Sequence, residues 1–528
     1  MRSDTAQRGD FDQHVDHNDR LYFSLFVVFL GTILPRLAVI GGVPTTDEGI
    51  YAAQAQFISA SLFSGHGLPD AGPLMLYPLL TAWIFKLGWN PLVLLRLVDL
   101  AVASTASWLF YRLIRKESGS AVAGVLIAVV FLWAMNQVTF IQYGYRNSIV
   151  CASNALFLAL ALVEGAPTGK LSRWWGAGSL VALAVLLREP LFPFAIVGSI
   201  AATLAGRWQG GLAFVMGGLS IAVIGLGGIC LARGDTVTLF GAYDDYASIY
   251  AVLDHDRWHN FFLNGGHAVR AAGSALIIGS GGALLAVRAT SRPSAPDRGR
   301  FWLWLTLAVV PLWEPTAKIG FPYHFAVCLP GLAGLAAFGW RHRAAAFENV
   351  NRIALGAGGT AVAMVIFVDA IAIARQAPAS AAVLGTVTTE AWPASAVDRS
   401  NFLLAAEAIR ASAPAHATLS VSGYMWGLHP LTGMLPPTYR LEDLNIAAIE
   451  LRLDEARLQA LIASCPPDIL VITKRNMPGT EIAFQAVTAS GLYRPVGEIP
   501  VTARDRYGAF GGTIYRKIDP EPSTCTTP

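Results

Sequence analysis

The chain has 528 residues, of which 54% are hydrophobic and only 14% are charged. Soluble globular domains carry about a quarter charged residues, so this composition excludes them and indicates a polytopic α-helical membrane protein. The formal net charge of +3 is too small to suggest a nucleic-acid partner, and its distribution along the chain is more informative.

Apolar stretches able to cross a bilayer recur along the chain. We predict about 11 transmembrane helices, with an uncertainty of one or two where a run is short or interrupted. The predicted spans are Leu21–Val43, Leu92–Ile114, Ala121–Ile141, Ile149–Val163, Trp175–Leu187, Leu191–Leu204, Leu212–Leu231, Ala271–Val287, Phe301–Leu312, Phe325–Trp340 and Ile353–Ala374. No small-residue cleavage site follows the first span, so we interpret it as a retained anchor.

Basic clusters fall on every second loop between the predicted spans. They are Arg112–Lys116, Lys170–Arg173, Gly206–Trp208, Arg288–Arg300 and Arg341–Arg343. The positive-inside rule places such loops in the cytoplasm, so the remaining loops and everything after Arg375 face outward.

The first external loop, Pro44–Pro91, is long and semi-apolar. It predicts two helices, Asp47–Leu62 and Pro73–Leu87, that lie in the membrane interface. The alternative is that Leu74–Leu87 forms a short extra span, but this would invert every later loop against the charge rule.

The composition changes at Gln376, after which helical and strand-like segments alternate. The helical segments are Asn401–Arg410, Asp454–Ser464 and Phe484–Ser490, and the strand-like segments are Ala417–Val421, Asp468–Thr473 and Tyr507–Lys517. This alternation predicts a small C-terminal extracytoplasmic α/β domain. The predicted domains are therefore a transmembrane catalytic domain, 1–375, whose first external loop covers 44–91, and an outer domain, 376–528.

The five cysteines show no metal-binding spacing. Cys151, Cys230 and Cys328 lie in apolar runs and are expected to be small core residues. Because the count is odd, we expect no disulfide framework.

Ionisable residues collect at the outer membrane boundary of the predicted topology. They are Asp47, Glu48, Arg146, Arg188, Glu189, Lys318 and His324. Charges are costly in hydrocarbon, so a water-filled cavity walled by spans would bring them together. Such a set suits group transfer from a lipid phosphate. Asp47 would take the proton of an acceptor hydroxyl, while Arg188 and Lys318 would stabilise the departing phosphate.

Each of these residues has a structural alternative that the sequence leaves open. Asp47 is equally well placed to cap the helix that follows it. Arg188 and Glu189 would form an ion pair beside a proline kink, and Lys318 would be an exposed loop residue. His324 would belong to the interfacial aromatic belt.

Other charged residues receive structural interpretations. Arg146 has snorkelling as its alternative, and Arg36 is expected to snorkel. Arg96 and Asp99, spaced i,i+3 in one span, are expected to pair with each other. A polar loop with His255 and His259 is interpreted as solvated, so no metal site is indicated.

Three segments resemble the GT-C fold glycosyltransferases, in particular the protein O-mannosyltransferase and lipid A aminoarabinose transferase groups. They are PTTDEGIYAAQAQ with the following GPLMLYPLLTAWIFKLGWNPLVLLRLVD, then LLREP, then KIGFPYHFAVCLPGLAGLAAFG. The resemblance covers roughly the first two-thirds of the chain. It implies a GT-C fold, an extracytoplasmic site, a polyprenyl-phosphate-linked sugar donor and inversion at the anomeric carbon.

The resemblance also assigns residues. It implies that Asp47 is the catalytic base, with Glu48 beside it, and that Arg188, Tyr323 and His324 lie at the donor site. The sequence departs from the family at Asn147, where an aspartate is expected. Either Asn147 serves as a hydrogen-bonding stand-in, or the donor geometry differs. It departs again at Asp70–Pro73, where some members carry a basic residue.

Together these inferences predict a glycosyltransferase of the bacterial inner membrane, with a polyprenyl-phosphate-sugar donor and an extracytoplasmic glycan, lipid or protein acceptor. No cofactor is indicated, and the sequence leaves open whether a divalent metal assists. One alternative is a transporter or flippase of lipid-linked saccharide, although charges on one side only argue against a continuous polar path. The other is a non-catalytic component of envelope polysaccharide assembly.

Overall fold

A computed structural model describes positions 17–37, 46–65, 68, 76–136, 170–188, 191–233, 257–290, 298–317, 322–343, 363–364, 367, 371, 397–414, 416–423, 425–474, 478–499 and 511–519. The chain forms two compact units. The first unit contains Met1–Val39, Val98–Ile221 and Arg257–Ala377. The second unit contains Ile40–Leu97, Ala222–Asp256 and Pro378–Pro528.

Helices dominate the described residues. In chain order they are α1 (His17–Val28), α2 (Leu34–Leu37), α3 (Thr46–Phe63), α4 (Leu76–Thr81), α5 (Pro91–Ser118), α6 (Ala121–Met135), α7 (Leu171–Leu187), α8 (Phe192–Arg233), α9 (Arg257–Ala271), α10 (Gly273–Thr290), α11 (Arg298–Val309), α12 (Trp313–Ala317), α13 (Leu329–Arg341), α14 (Val397–Ser412), α15 (Leu428–Thr432), α16 (Leu444–Glu450), α17 (Glu455–Ser464) and α18 (Thr480–Ser490). The strands are β1 (Leu419–Val421), β2 (Ile469–Thr473), β3 (Tyr493–Ile499) and β4 (Gly512–Lys517). Short 3₁₀ turns cover Ala82–Lys86, Val310–Leu312, Pro322–Cys328 and Tyr439–Leu441, and a π-helical turn covers Phe29–Ile33.

In the first unit, α10 and α11 pack closely on α13 through small residues. A Cβ atom on Gly282 of α10 would collide with the backbone of Ala336, and one on Gly334 would collide with the ring of Trp304 on α11. Helices in lipid gain no hydrophobic driving force from associating, so they commonly associate through small residues that let their backbones approach closely. This packing therefore suits a membrane-embedded bundle.

The 42-residue α8 is interrupted at Arg207, whose φ of 59° and ψ of −171° are not helical. A Cβ atom on Gly198 would meet the ring of Phe214, so the two halves lie against each other. The chain thus turns back at the basic loop. This confirms the prediction of two helical segments separated at Gly206–Trp208.

Two further helices, α9 and α10, meet at an angle of 91°. Within the described residues, three helices are long and apolar enough to cross a membrane, or four if this bent pair is one span: Pro91–Ser118, Phe192–Leu231 and Tyr323–Arg341, with Trp258–Ala271 plus Gly273–Arg288. The total of about 11 spans stays a prediction. Of the predicted spans, Ile149–Val163 lies outside the described residues and Ile353–Ala374 lies almost wholly outside them.

In the second unit, α3 packs against α4 and the 3₁₀ turn Ala82–Lys86. Phe57, Ile58 and Ala82 are buried where they meet. The two helical segments predicted in the first external loop are therefore confirmed as local structure.

The second unit also contains a four-stranded sheet with the order β1-β2-β4-β3. β1 runs parallel to β2, whereas β4 runs antiparallel to both of its neighbours. Alternate residues of the fully buried β2 pack on opposite faces: Ile469 and Val471 face α14 and α15, while Leu470 and Ile472 face α16, α17 and α18. The predicted α/β domain is confirmed.

Two expectations for this domain need correction. The strand β3 was not predicted, because Pro495 and Gly497 interrupt its pattern, and the structure accommodates them by a register shift between the two residues. Cys465 is disulfide-bonded, whereas the sequence led us to expect no disulfide framework. Cys230 and Cys328 are free, so the partner of Cys465 lies outside the described residues.

Candidate functional site

The N-terminus of α3 presents the predicted acidic pair. Asp47 is the second residue of this helix. The next residue, Glu48, has no exposed surface, and both of its carboxylate oxygens accept hydrogen bonds from Arg96. The distances are 2.7 Å from Nε to Oε1 and 2.9 Å from Nη2 to Oε2. Because a bidentate pair fixes both partners in position and orientation, it anchors the first turn of α3 to α5.

The same turn touches the C-terminal part of the second unit. Gly49 lies against the backbone of Trp426 and Gly427, where an added Cβ atom would come within 2.5 Å of the Gly427 nitrogen. Ile50 packs against the core cluster that contains Leu419 and Val421. The segment that carries Asp47 is thus held by an ion pair on one side and by close backbone packing on the other.

In the first unit, three polar side chains that are far apart in sequence converge. Arg188 Nη2 lies 2.5 Å from Glu314 Oε1, and His324 Nε2 lies 3.4 Å from the same oxygen. All three side chains are at least 94% buried. The ring of Tyr323 meets that of His324 edge-on, with centroids 4.3 Å apart.

Local sequence explains where Arg188 is placed. Helix α7 ends at Leu187, and Arg188 adopts an extended conformation with φ −154° and ψ 98°. Helices usually end at or before the residue that precedes a proline, and Pro190 follows Arg188 by two positions. Arg188 therefore leaves the helix, and its side chain reaches α12 instead of continuing along α7.

Sequence reasoning missed Glu314. The prediction gave Arg188 the neighbouring Glu189 as its structural alternative, whereas the structure gives it Glu314, which is 126 positions away. The available signal for Glu314 was its position: it is an acidic residue near Lys318 in a loop predicted to face outward. Arg188, Tyr323 and His324 were predicted to share a site, and the structure brings these three residues together.

A second buried cluster lies at α2 of the first unit. Arg36 pairs with Asp99 through Nη1 and donates from Nε to Asn136 Oδ1 at 2.7 Å. Asn136 in turn donates to the Gly31 carbonyl oxygen at 3.0 Å. The expectation that Arg36 snorkels is wrong, because only 6% of its side chain is exposed.

The expected pairing of Arg96 with Asp99 is also wrong. Each residue pairs with a charge on another helix: Arg96 with Glu48, and Asp99 with Arg36. Spacing along one helix indicated a local pair, but tertiary partners of better geometry are available.

The remaining predicted site residues are not placed. Arg146, Asn147 and Lys318 lie outside the described residues, and so do His255 and the side chain of Asp47. No group of three or more metal-ligating side chains occurs in the part of the chain that the structure describes.

The architecture has a counterpart among solved structures. It matches ArnT from Cupriavidus metallidurans bound to undecaprenyl phosphate, with a TM-score of 0.57 and 11% identity, over 93% of this chain and 97% of that one. The chain has the GT-C fold. Together with its apolar helices, this fold identifies the chain as a multi-pass membrane protein. A small C-terminal sheet domain is also present.

A second solved structure overlaps less well with this GT-C chain. The oligosaccharyltransferase of Archaeoglobus fulgidus in the apo form has a TM-score of 0.47 and 13% identity, over 87% of this chain and 70% of that one. No family model and no curated protein sequence matches the chain.

Proposed function

We propose that this GT-C protein is an inverting glycosyltransferase, which moves a sugar from a polyprenyl-phosphate-linked donor to an extracytoplasmic acceptor. The observation that carries the proposal is the shared fold with ArnT bound to undecaprenyl phosphate, which extends over nearly the whole chain. A lipid carrier also gives a reason for charged side chains buried among apolar helices, since such residues commonly mark functional sites in membranes.

In the proposed reaction, the acceptor hydroxyl oxygen bonds to the anomeric carbon of the sugar from the face opposite the phosphate. The bond between that carbon and the phosphate oxygen breaks, and its electron pair stays on the phosphate oxygen. Asp47 takes the hydroxyl proton as general base. The products are the glycosylated acceptor and the free polyprenyl phosphate.

Glu48 serves this step as a positioning residue. It was predicted to be catalytic together with Asp47, but both of its oxygens accept hydrogen bonds from Arg96. The ion pair instead fixes the turn in which Asp47 lies.

Arg188 is the described residue best suited to the leaving phosphate. Its guanidinium group contacts the same Glu314 oxygen as His324, whose ring meets that of Tyr323, and the family resemblance assigns His324 and Tyr323 to the donor site. Preorganised cations stabilise charge that develops on a leaving oxygen. Glu314 balances the Arg188 charge while the site is empty, and Arg146 and Lys318 are proposed to add positive charge when the donor binds.

The disulfide at Cys465 supports an extracytoplasmic C-terminal domain. Disulfides persist in the bacterial periplasm and outside cells but are rare in the cytosol. We therefore propose that this domain faces the periplasm from the bacterial inner membrane, as the alternation of basic loops also predicts.

The test uses the full-length protein reconstituted in lipid vesicles, with a panel of undecaprenyl-phosphate-linked sugars and an envelope extract as acceptor. We expect wild-type protein to release undecaprenyl phosphate from one donor and to transfer its sugar. Asp47→Asn should lose transfer by a factor of 100 or more, which is about the contribution of general base catalysis. It should still bind undecaprenyl phosphate in native mass spectrometry.

The matched control is Asp519→Asn, which makes the same chemical change at an exposed position of the second unit. This variant should transfer normally. Wild-type transfer by Asp47→Asn would contradict the base assignment, and flux of the intact lipid-linked sugar without a new glycosidic bond would favour the transporter alternative.

A further inference from the structure

A cavity of about 460 Å³ opens within the second unit, and its described lining residues are all different from those assigned to the reaction. Its lining comes from three regions that are distant in sequence: α3, the turn before α5, and the helices α14 and α15. Binding sites for small molecules commonly occupy clefts of about 300–1,000 Å³, so this cavity is large enough for a sugar-sized ligand.

The charged residues among the described lining of the cavity have one sign. Two of these residues are cations, Lys86 and Arg410, and none of the described lining residues is a carboxylate. The Arg410 side chain is oriented by its Nη2, which donates to the Leu431 carbonyl oxygen. The Lys86 side chain is oriented by Phe63, whose ring centroid lies 5.5 Å from Lys86 Nζ. Two oriented cations favour an anionic ligand.

Buried polar groups add a second signal. Gln56 is 92% buried and Ser59 is 98% buried, and both residues line the cavity. Within the described residues, Gln56 Oε1 and Ser59 Oγ have no hydrogen-bond partner. Buried polar atoms in native proteins are nearly always paired, so a ligand in the cavity would supply these two atoms with partners that the described residues do not. An amide oxygen accepts hydrogen bonds only, so a ligand hydroxyl group would satisfy it.

We propose that this cavity binds an anionic saccharide, whose phosphate or carboxylate group lies between Lys86 and Arg410 and whose hydroxyl groups meet Gln56 and Ser59. If the proposed function holds, this saccharide is the part of the acceptor that does not react; this assignment rests on the proposed function. Gln56 follows Asp47 by nine residues on the same helix, which corresponds to about 13 Å along its axis. The acceptor must therefore extend beyond one sugar ring to reach both places.

The experiment measures binding to full-length Asp47→Asn protein, so that no turnover interferes. The probes are glucose 6-phosphate and glucuronate, which distinguish phosphate from carboxylate, together with neutral glucose and inorganic phosphate. Saturation-transfer NMR measures the binding of each probe to the protein. We expect at least one anionic sugar to bind, and glucose and inorganic phosphate each to bind at least tenfold more weakly.

Variants locate the binding. Lys86→Met and Arg410→Met should each weaken the anionic sugar at least tenfold, and both side chains are exposed, so folding should persist. Ser59→Ala should weaken it to a smaller extent. Arg457→Met, at an exposed arginine that does not line the cavity, is the matched control and should change nothing.

Several results would overturn the inference. They are equal binding of glucose, equal binding of inorganic phosphate, unchanged affinity in both methionine variants, or displacement by undecaprenyl phosphate, which would assign the cavity to the donor. Failure here with intact transferase activity would reject only this site. Anionic-sugar binding through Lys86 and Arg410 in a protein that transfers nothing would reject the proposed function and keep the site.

Discussion

Glu48 and Arg96 form a buried ion pair in which each carboxylate oxygen accepts one guanidinium N–H, at 2.7 and 2.9 Å. The side chains are 0% and 4% exposed. Removing two charges from water is costly, so such a pair adds little net stability, but it fixes a unique arrangement of the groups that carry it. Here that arrangement sets the start of α3, where Asp47 lies.

Arg96→Met should destabilise the protein by about 3–5 kcal/mol, because it leaves the Glu48 charge buried without its guanidinium partner. The double variant Glu48→Leu/Arg96→Met should recover much of that loss, since no charge is then buried alone. Thermal unfolding in detergent, followed by tryptophan fluorescence, measures both effects.

Activity separates positioning from stability in these variants. The double variant should remain slow in sugar transfer despite its recovered stability, because the turn that holds Asp47 has lost its anchor. Arg457→Met removes an exposed arginine and should cost less than about 1 kcal/mol. Full activity in the stable double variant would show that the ion pair has no role in positioning.

A second prediction concerns Arg188 and Glu314, whose nearest charged atoms are 2.5 Å apart. Arg188→Met should weaken undecaprenyl phosphate binding about 10- to 100-fold, because a charge-assisted hydrogen bond contributes about 1.5–3 kcal/mol. Glu314→Gln removes the anion that competes with the phosphate for Arg188, so binding should stay equal or become tighter. Native mass spectrometry on the full-length protein measures both.

The control is an ion pair of similar distance elsewhere in the first unit. Arg300 Nη2 lies 2.8 Å from Glu117 Oε2, on the side predicted to be cytoplasmic. Arg300→Met should leave lipid-phosphate binding unchanged. If Glu314→Gln weakened binding as much as Arg188→Met, the cluster would be structural and not a phosphate site.

Much of this architecture follows from local sequence, and the reasons are physical. The two helices of the first external loop, the break near Arg207 and the buried strand β2 all have strong local signals: helical periodicity, a basic turn and a continuous apolar run. Likewise, the outward loops that carry Arg188 and His324 were predicted on one side, and both side chains contact Glu314.

The partners of the charged residues could not be predicted in the same way. Arg96 has Asp99 three residues away, yet its ion pair is with Glu48, 48 positions earlier. Glu314 has no distinguishing motif, and only tertiary packing gives it Arg188 and His324. Long-range pairing depends on which helices touch, and periodicity along a single helix contains no information about that.

The disulfide of Cys465 gives a third prediction. Protein isolated from cells without reductant should gain two maleimide-reactive thiols, counted by mass under denaturing conditions, once it is reduced. Cys465→Ser should abolish that gain, whereas Cys328→Ser, at a free buried cysteine, should not. No gain in the wild-type protein would contradict an oxidising location for the C-terminal domain.

A fourth prediction concerns His429, which is fully buried on α15. Its Nε2 lies 3.1 Å from the Glu442 carbonyl oxygen, and burial lowers the pKa of His429 from 6.5 to about 4. The unfolded chain therefore binds a proton at a higher pH than the folded chain does. The contribution of His429 to the stability of this domain should be complete above pH 6.5 and should fall by about 3 kcal/mol as the pH drops to 4.

Hydrogen exchange of the β1 amides in the full-length protein, corrected for the intrinsic pH dependence of exchange, measures this loss. His429→Gln keeps a side-chain amide near the Glu442 carbonyl oxygen but does not titrate. Its stability should change less between pH 6.5 and 5 than that of the wild-type protein. An identical pH profile in both proteins would assign the loss to other groups.

We expect the contribution of Glu442 to stability to have the opposite pH dependence to that of His429. Burial raises the pKa of its carboxyl group well above 4.5, with smaller contributions from the charges of Asp443 and Glu450. The folded state thus favours the protonated acid, so this contribution to stability is complete below pH 4.5 and is lost as the pH rises through the raised pKa. Glu442→Gln supplies a permanently neutral group, so β1 exchange should be slower than in wild type at pH 7.5. The difference should disappear towards pH 4.5, whereas Glu407→Gln, an exposed change on α14, should have no effect at either pH.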